Sequence, residues 1–476
     1  MESPGLSQLT PLYTDLYQLT MAQGYFLTGR HRQHAVFDLF FRSNPFKGGY
    51  LLAVGMDEAL RVLSGLRFQR QDLAYLKRLG FAPSFLTYLE RFRFRLSAES
   101  VIEGEVVFPR EPLLRVEGSL LECQLAETLL INFVHFPSLV ATKASRIVRA
   151  AEGRSVLEFG LRRAQGLAGI AASRAAYIGG VDGTSNVMCG QIYGVPVFGT
   201  QAHSWIQAIR DEKKAFLEFS RIQREKTVLL IDTYNTLKSG LPHLLQTLQI
   251  LRREGIAIRG VRIDSGDLAY LSKKLRAALD EAGYPEILIF ASGSLDEYII
   301  ESLLKQNARI DGFGVGTKLS TAYDEPALDM VYKLCMIEGH SEIKISDNLE
   351  KMNEPGRKRT WRFYSDSKQF LLDAIGMEDE SKPGKVIHPF FEYATTPVRG
   401  LKGEVLLRQV MKNGKFLLKG QGVEQARAYA RERLALLPDE HKRFYYPHTY
   451  RVGITQKLFR MKEKLFAKRS KEYTSA

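Results

Sequence analysis

Six apolar runs between residues 155 and 316 each end in residues able to do chemistry. The tips read Glu158-Phe159-Gly160-Leu161-Arg162-Arg163, Gly199-Thr200-Gln201-Ala202-His203-Ser204, Ile231-Asp232-Thr233-Tyr234-Asn235, Arg262-Ile263-Asp264-Ser265-Gly266-Asp267, Ala291-Ser292-Gly293-Ser294 and Gly314-Val315-Gly316-Thr317-Lys318. Backbone N–H groups freed by glycine, beside a threonine hydroxyl, make a phosphate cradle. Gly314, Gly316 and Thr317 supply these parts, and Ser292 with Gly293 repeats the style one tip earlier. Tight turns are the plainer use of the same glycines. Alternation along a strand sends Arg262 and Asp264 to one face. That pair suits a substrate with an anionic end and a hydroxyl-bearing or cationic centre; an ion pair between the two is the structural alternative. Asp267 reads as the cap of a helix starting at Leu268. His203 has the side chain for proton transfer or phosphoryl acceptance near neutral pH, and Asp232 is a candidate to hold its tautomer. Helix capping is the ordinary alternative for His203. Arg162 and Arg163 suit bidentate anion binding. Phe159 either stacks on a flat ring or fills a core.

These tips need a scaffold that gathers them. Strand-like runs at 155–160, 195–200, 227–232, 258–264, 286–291 and 311–316, with further candidates at 181–186 and 329–337, alternate with amphipathic helical stretches. In one of these, Leu268, Leu271, Leu275 and Leu279 share a face before Gly283 and Pro285 end the pattern. Alternating strands and helices imply a parallel sheet, and a closed one carries its active site at the carboxyl ends of the strands. The fold class is therefore α/β, an irregular TIM-like (β/α) barrel over residues 141–340. Residues 1–140 read as an N-terminal α+β domain, with strand-like pieces at 35–41 and 104–108 and a helical run at 120–136. Residues 341–476 read as a small C-terminal module, opened by a polar stretch at 347–359.

Composition narrows the class. The 476 residues are 45% hydrophobic and 25% charged, as in ordinary globular proteins. No run approaches ~18 consecutive apolar residues, so no membrane partner is expected. Met1-Glu2-Ser3-Pro4-Gly5 carries no leader pattern. Cys123, Cys189 and Cys335 lie too far apart for a disulfide framework or a zinc site, which suits a reducing cytoplasm. The net charge is +14, and a tail from residue 442 to 471 holds ten basic residues and one acid. A nucleic-acid-binding protein is the reading from a different class, but no base-reading motif accompanies the charge, and a solvated helix is the expectation. GxGxxG, P-loop and nucleophile-elbow patterns are absent.

Taken together, the tips closely resemble nicotinate phosphoribosyltransferases, of the type II phosphoribosyltransferase class. The resemblance starts at Thr14-Asp15-Leu16-Tyr17-Gln18-Leu19-Thr20-Met21-Ala22 and continues through 158–166, Gly183-Thr184-Ser185-Asn186, 199–204, 230–235, 260–268 and 312–318. It is weak beyond residue 380. It implies transfer of 5-phosphoribosyl from phosphoribosyl pyrophosphate to nicotinate, with Mg²⁺ accompanying pyrophosphate and ATP as co-substrate through a phosphohistidine at His203. It implies a homodimer with shared sites, in which Tyr17 stacks on the partner's nicotinate and Phe159 forms the opposite wall. Thr200 and Arg262 would contact nicotinate, Asp264 the ribose hydroxyls, and Asp232 would orient His203. Gly314, Gly316 and Thr317, beside Ser292 and Gly293, would hold the ribosyl phosphate. Arg162, with Arg42 as a further candidate, would hold pyrophosphate. No protein metal ligand is assigned. Related nicotinamide-using enzymes carry an aspartate at the position of Ser185, so nicotinate is the expected substrate. Nicotinamide- or quinolinate-using relatives are the alternatives, and chain length with His203 argues against the quinolinate type.

Overall fold

A computed structural model describes residues 9–345, 352–417 and 422–474. The residues read for a leader, and residues 347–351 of the polar stretch, lie outside them. The chain forms two compact units: residues 143–324, and residues 1–142 together with 325–476. The sequence reading instead divided the chain at 140 and 340 into three parts.

The 143–324 unit is built on a six-stranded parallel sheet. Its spatial order is Gly183–Thr184, Ser155–Glu158, Gly312–Val315, Leu288–Ser292, Gly260–Ile263 and Val228–Leu230. These strands are short and mainly apolar, as expected where both faces are covered, with Glu158, Arg262 and Ser292 at or near their carboxyl ends. Helices follow the strands, which is the β/α alternation read in the sequence. Leu268–Glu281 is capped by Asp267, whose side chain accepts from the Tyr270 N–H. Leu275 and Leu279 are fully buried on its inner face.

Two expected strands differ. Residues 195–200 contribute a single parallel bridge, Thr184 to Val197. Pro196 has no N–H to donate, so the ladder is limited to the Pro196 carbonyl and the Phe198 N–H, both bonded to Thr184. Met330–Ile337 is a strand, but it pairs antiparallel with His34–Phe41 in the other unit. Its Lys333 interrupts the apolar run, which suits an antiparallel strand better than a doubly covered parallel one.

The other unit carries two larger sheets. The seven-stranded sheet runs His340–Ser341, Met330–Ile337, His34–Phe41, Leu114–Ser119, Ser97–Ser100, Arg408–Lys412, Lys415–Phe416. The six-stranded sheet includes Lys358–Tyr364, Phe370–Met377 and Val452–Ile454. Strand pairing therefore joins the C-terminal segment to the N-terminal one. Buried charge does the same: the fully buried Arg362 guanidinium binds Asp373 and Glu105, and Arg433 also reaches Glu105. The helix expected over 120–136 runs on to Ala150 through Pro137, and most of its apolar length is buried. Most of the basic tail lies in the helix Gln456–Thr474, with Leu458 buried against Ile375, Ile387 and Ile454.

Candidate active site

Parallel strands present their carboxyl ends on one side, and there the 143–324 unit assembles a polar cluster around Arg262. Each guanidinium nitrogen has its own partner. Nε donates to Ser292 Oγ at 2.8 Å, Nη1 to Thr200 Oγ1 at 2.6 Å, and Nη2 to Asp264 Oδ1 at 2.9 Å. Four of the tips thus meet at one side chain, because the Phe159 ring lies 5.9 Å from the Arg262 guanidinium carbon. Arg262 and Asp264 do point the same way, and the ion pair between them forms.

Beside this cluster is an empty space of about 450 Å³, open to solvent and walled by Phe159, Phe198, Phe290, Leu157 and Val228. Thr200, Arg262, Ser292 and Gly314 also line it. Three glycines seat the three rings. A Cβ on Gly183 would stand 2.6 Å from the Phe198 ring, one on Gly312 2.7 Å from Phe290, and one on Gly314 2.6 Å from Phe159. Gly293 answers a different need: its φ is +96°, and a Cβ there would stand 2.2 Å from the Asp264 carbonyl oxygen. Gly316 precedes the short helix Thr317–Ser320 as its N-cap, and Ser320 Oγ donates to the Gly160 carbonyl.

The Asp264 carboxyl is half-buried, and burial alone would raise its pKa. Hydrogen bonds from Ser292 and Arg262, with the charges of Arg262 and His203, outweigh burial and hold it below the ordinary carboxylate value. Asp232 does not orient His203 here. Its Oδ2 accepts from the Asp264 N–H at 2.9 Å and from Ser265 Oγ at 2.6 Å, which braces the loop bearing Asp264. The ring of His203 is met by Thr233, whose Oγ1 lies 3.1 Å from Nδ1. Buried polar capacity remains: Asp232 Oδ1 and both amide atoms of Gln201 have no hydrogen-bond partner.

Residues 155–381 match the nicotinate phosphoribosyltransferase (NAPRTase) family, residues 12–135 its N-terminal domain and residues 357–462 its C-terminal domain. The chain belongs to the nicotinate phosphoribosyltransferase family. It is 41% identical to the nicotinate phosphoribosyltransferase of Bacillus subtilis over 456 residues, 94% of this chain and 93% of that one. It is 35% identical to the Caenorhabditis elegans protein of the same name, covering 95% and 92% of the two chains. The crystal structure of human nicotinic acid phosphoribosyltransferase superposes with a TM-score of 0.84 at 31% identity, covering 95% of this chain and 99% of that one. The C-terminal match exceeds what the sequence resemblance reached beyond residue 380.

Arg162 is exposed on the loop after Ser155–Glu158. Ser185 donates its N–H to the Glu158 carbonyl and is half-buried. Tyr17 lies on the helix Leu16–Leu27 of the other unit, half-exposed. Arg42, also in that unit, pairs with Asp329 at 3.0 Å. Sequence reasoning passed over Glu158. Its fully buried carboxylate accepts from Ser173 Oγ at 2.8 Å, from the Thr184 hydroxyl and from the Gly160 N–H, tying the Ser155–Glu158 and Gly183–Thr184 tips together. The signal was a carboxylate closing an apolar run, where a buried charge needs several donors.

Proposed function

We propose that this chain transfers the 5-phosphoribosyl group of phosphoribosyl pyrophosphate to the ring nitrogen of nicotinate, giving nicotinate mononucleotide and pyrophosphate for NAD biosynthesis. The observation that carries the reading is the Arg262 guanidinium, spread over Thr200, Ser292 and Asp264 beside the Phe159 ring. A flat acid laid against Phe159 finds a cation for its carboxylate, and holding the ring there aims its nitrogen. The nitrogen lone pair forms the bond to the anomeric carbon, while the carbon–oxygen bond breaks and its electron pair leaves on pyrophosphate. Positive charge develops on the sugar meanwhile. The Asp264 carboxylate, kept ionised by Arg262 and Ser292, opposes that charge in place. Asp232 keeps Asp264 at its position through the backbone N–H. Gly314, Gly316 and Thr317 hold the 5-phosphate in this reading, with Ser292 and Gly293 beside them, and Arg162 faces pyrophosphate.

The donor set suits Mg²⁺. Asp232 Oδ1 is an unpartnered buried carboxylate oxygen, and no cluster of three or more acidic, histidine or cysteine ligands occurs among the described residues. A cation that keeps waters and shares substrate phosphates needs no more than one or two such oxygens. Asp232 and Asp264 are the residues to hold it, and bound there it supplies charge neutralisation on the departing pyrophosphate.

His203 is the phosphoryl acceptor from ATP in this proposal, and the added charge of about −2 reshapes the neighbouring anion sites before transfer. The working form is a cytoplasmic homodimer. The exposed apolar residues Leu16, Tyr17, Met21 and Leu27 on one helix support a partner contact through which Tyr17 reaches the second site. The test is a product assay with phosphoribosyl pyrophosphate, Mg²⁺ and each of nicotinate, nicotinamide and quinolinate, with and without ATP. Nicotinate mononucleotide should form fastest with ATP, and His203→Ala should lose the ATP stimulation while keeping slow transfer. Comparable turnover of nicotinamide, or full stimulation of His203→Ala, overturns the corresponding part.

A further inference from the structure

All three guanidinium nitrogens of Arg262 are already bonded within the protein. Lys226 and Arg259 line the same pocket, and Mg²⁺ would offset the charge of Asp232 and Asp264. A lysine beside the phosphate cradle would add a direct contact for a substrate carrying several phosphate charges.

Lys318 immediately follows Thr317 in the first turn of the short helix Thr317–Ser320. Its ammonium lies 3.8 Å from the centre of the Tyr323 ring and 3.8 Å from Asp324 Oδ1. The other oxygen of Asp324 is held by the fully buried Lys143. Lys143 also binds Glu297 at 2.7 Å, and Arg146 binds the second Glu297 oxygen at 2.8 Å. Lys143 and Arg146 are buried and tightly bonded, whereas the Lys318 side chain is 26% exposed and its carboxylate contact is long. A contact of that length at a partly exposed site holds a lysine weakly. Tyr323 keeps the ammonium parked by a cation–π contact, which a phosphate oxygen readily displaces.

We infer that Lys318 is a phosphate-binding residue of this site, moving from Tyr323 and Asp324 onto a phosphate group of the sugar phosphate substrate. The inference rests on the proposed phosphoribosyl transfer. It assigns to Lys318 a binding role in which Lys143, Glu297 and Arg146 act only as the buried mount for Asp324.

Purified wild type, Lys318→Met and Lys318→Arg should be titrated with pyrophosphate and, separately, with ribose 5-phosphate, by calorimetry at low and moderate salt. Steady-state KM for phosphoribosyl pyrophosphate and for nicotinate, and thermal unfolding, complete the set. Lys318→Met should weaken one of the two anions about tenfold, and that arm identifies the phosphate group contacted. It should raise KM for phosphoribosyl pyrophosphate by a similar factor, leave KM for nicotinate within about twofold and leave the unfolding temperature unchanged. Lys318→Arg should recover most of the loss, and the loss should shrink as salt rises. Unchanged binding of both anions by Lys318→Met, with wild-type turnover intact, overturns the inference alone. Equal damage to both KM values together with a lowered unfolding temperature also overturns it, since that marks a structural lysine. A wild-type protein that binds neither anion and makes no nucleotide sinks the underlying reading and this inference with it.

Discussion

Replacing Arg262 by lysine keeps the charge and removes the geometry. Arginine reaches Ser292, Thr200 and Asp264 with three different nitrogens, at 2.8, 2.6 and 2.9 Å. A lysine ammonium is a single point on a flexible stem and cannot span that triangle, so two of the three contacts are lost. Hydrogen bonds to a charged group contribute ~1.5–3 kcal/mol each, giving a gross loss of ~3–6 kcal/mol for two. The Arg262 side chain is 18% exposed, so water replaces part of this. These bonds exist in the free enzyme, so activity is lost through the misplaced cation: one charge-assisted contact to the nicotinate carboxylate, ~1.5–3 kcal/mol, corresponds to roughly a tenfold to hundredfold loss in kcat/KM for nicotinate. Thermal stability should fall less, by ~1 kcal/mol, because a partly exposed charged cluster contributes modestly to folding. The pH dependence carries the same argument. Asp264 sits below its ordinary pKa, so its contribution to stability is complete above the unfolded value of about 3.9 and is lost as pH falls through the lower folded value. No change from this group is expected between pH 5 and 8. In Arg262→Lys the folded pKa of Asp264 should move up toward the ordinary value, shrinking the acid-side term. The assay is steady-state kinetics with nicotinate varied, alongside unfolding from pH 3 to 8. A kcat/KM within about threefold of wild type would show that the shared guanidinium is not what positions the substrate. A collapse in stability as large as the loss in activity would show that Arg262 acts on the fold.

Thr233→Val should reduce ATP stimulation about fivefold with the ATP-independent rate unchanged, and Thr233→Ser should retain it, because the hydroxyl at 3.1 Å is the His203 Nδ1 partner; rates with and without ATP over pH 6–9 check this. Gly314→Ala places a Cβ 2.6 Å from the Phe159 ring, so it should raise KM for nicotinate at least tenfold and destabilise by ~1–3 kcal/mol of overpacking, read by kinetics and thermal unfolding. Ser185→Asp should lower kcat/KM for nicotinate more than for nicotinamide by restoring an acid that repels a carboxylate, measured with the two bases in parallel.

Much of the site was legible because strand chemistry is local. Alternation alone put Arg262 and Asp264 on one face, and Asp267 caps its helix as its side chain and position require. Partner choice across loops was not legible. Asp232 and Thr233 are adjacent in sequence, and which of them meets His203 depends on the Asp264 N–H and the Ser265 hydroxyl, which both hold Asp232 Oδ2. Sheet membership was likewise hidden. Met330–Ile337 reads as a strand from its residues, yet its partner His34–Phe41 lies almost 300 positions earlier, and no local pattern encodes that pairing. The helical run expected over 120–136 extends to Ala150 through Pro137, and its buried faces carry it past that residue.

The glycines show why residue type alone underdetermines role. Gly314 reads as part of a phosphate cradle, yet its backbone lies in a central strand, paired with Ser292 and Leu157 of the strands on either side. Its missing Cβ has a separate effect, since that volume is where the Phe159 ring lies, as Gly183 and Gly312 make room for Phe198 and Phe290. One small residue therefore couples the anion loop to the aromatic wall. The two halves of the substrate are recognised by surfaces that cannot vary independently at this position. A substitution at Gly314 should for that reason disturb the flat-ring site before the phosphate site, since the ring is in direct steric contact and the backbone N–H is not. Nicotinate KM should accordingly rise before that for phosphoribosyl pyrophosphate, and the opposite order would return Gly314 to a purely phosphate-binding role.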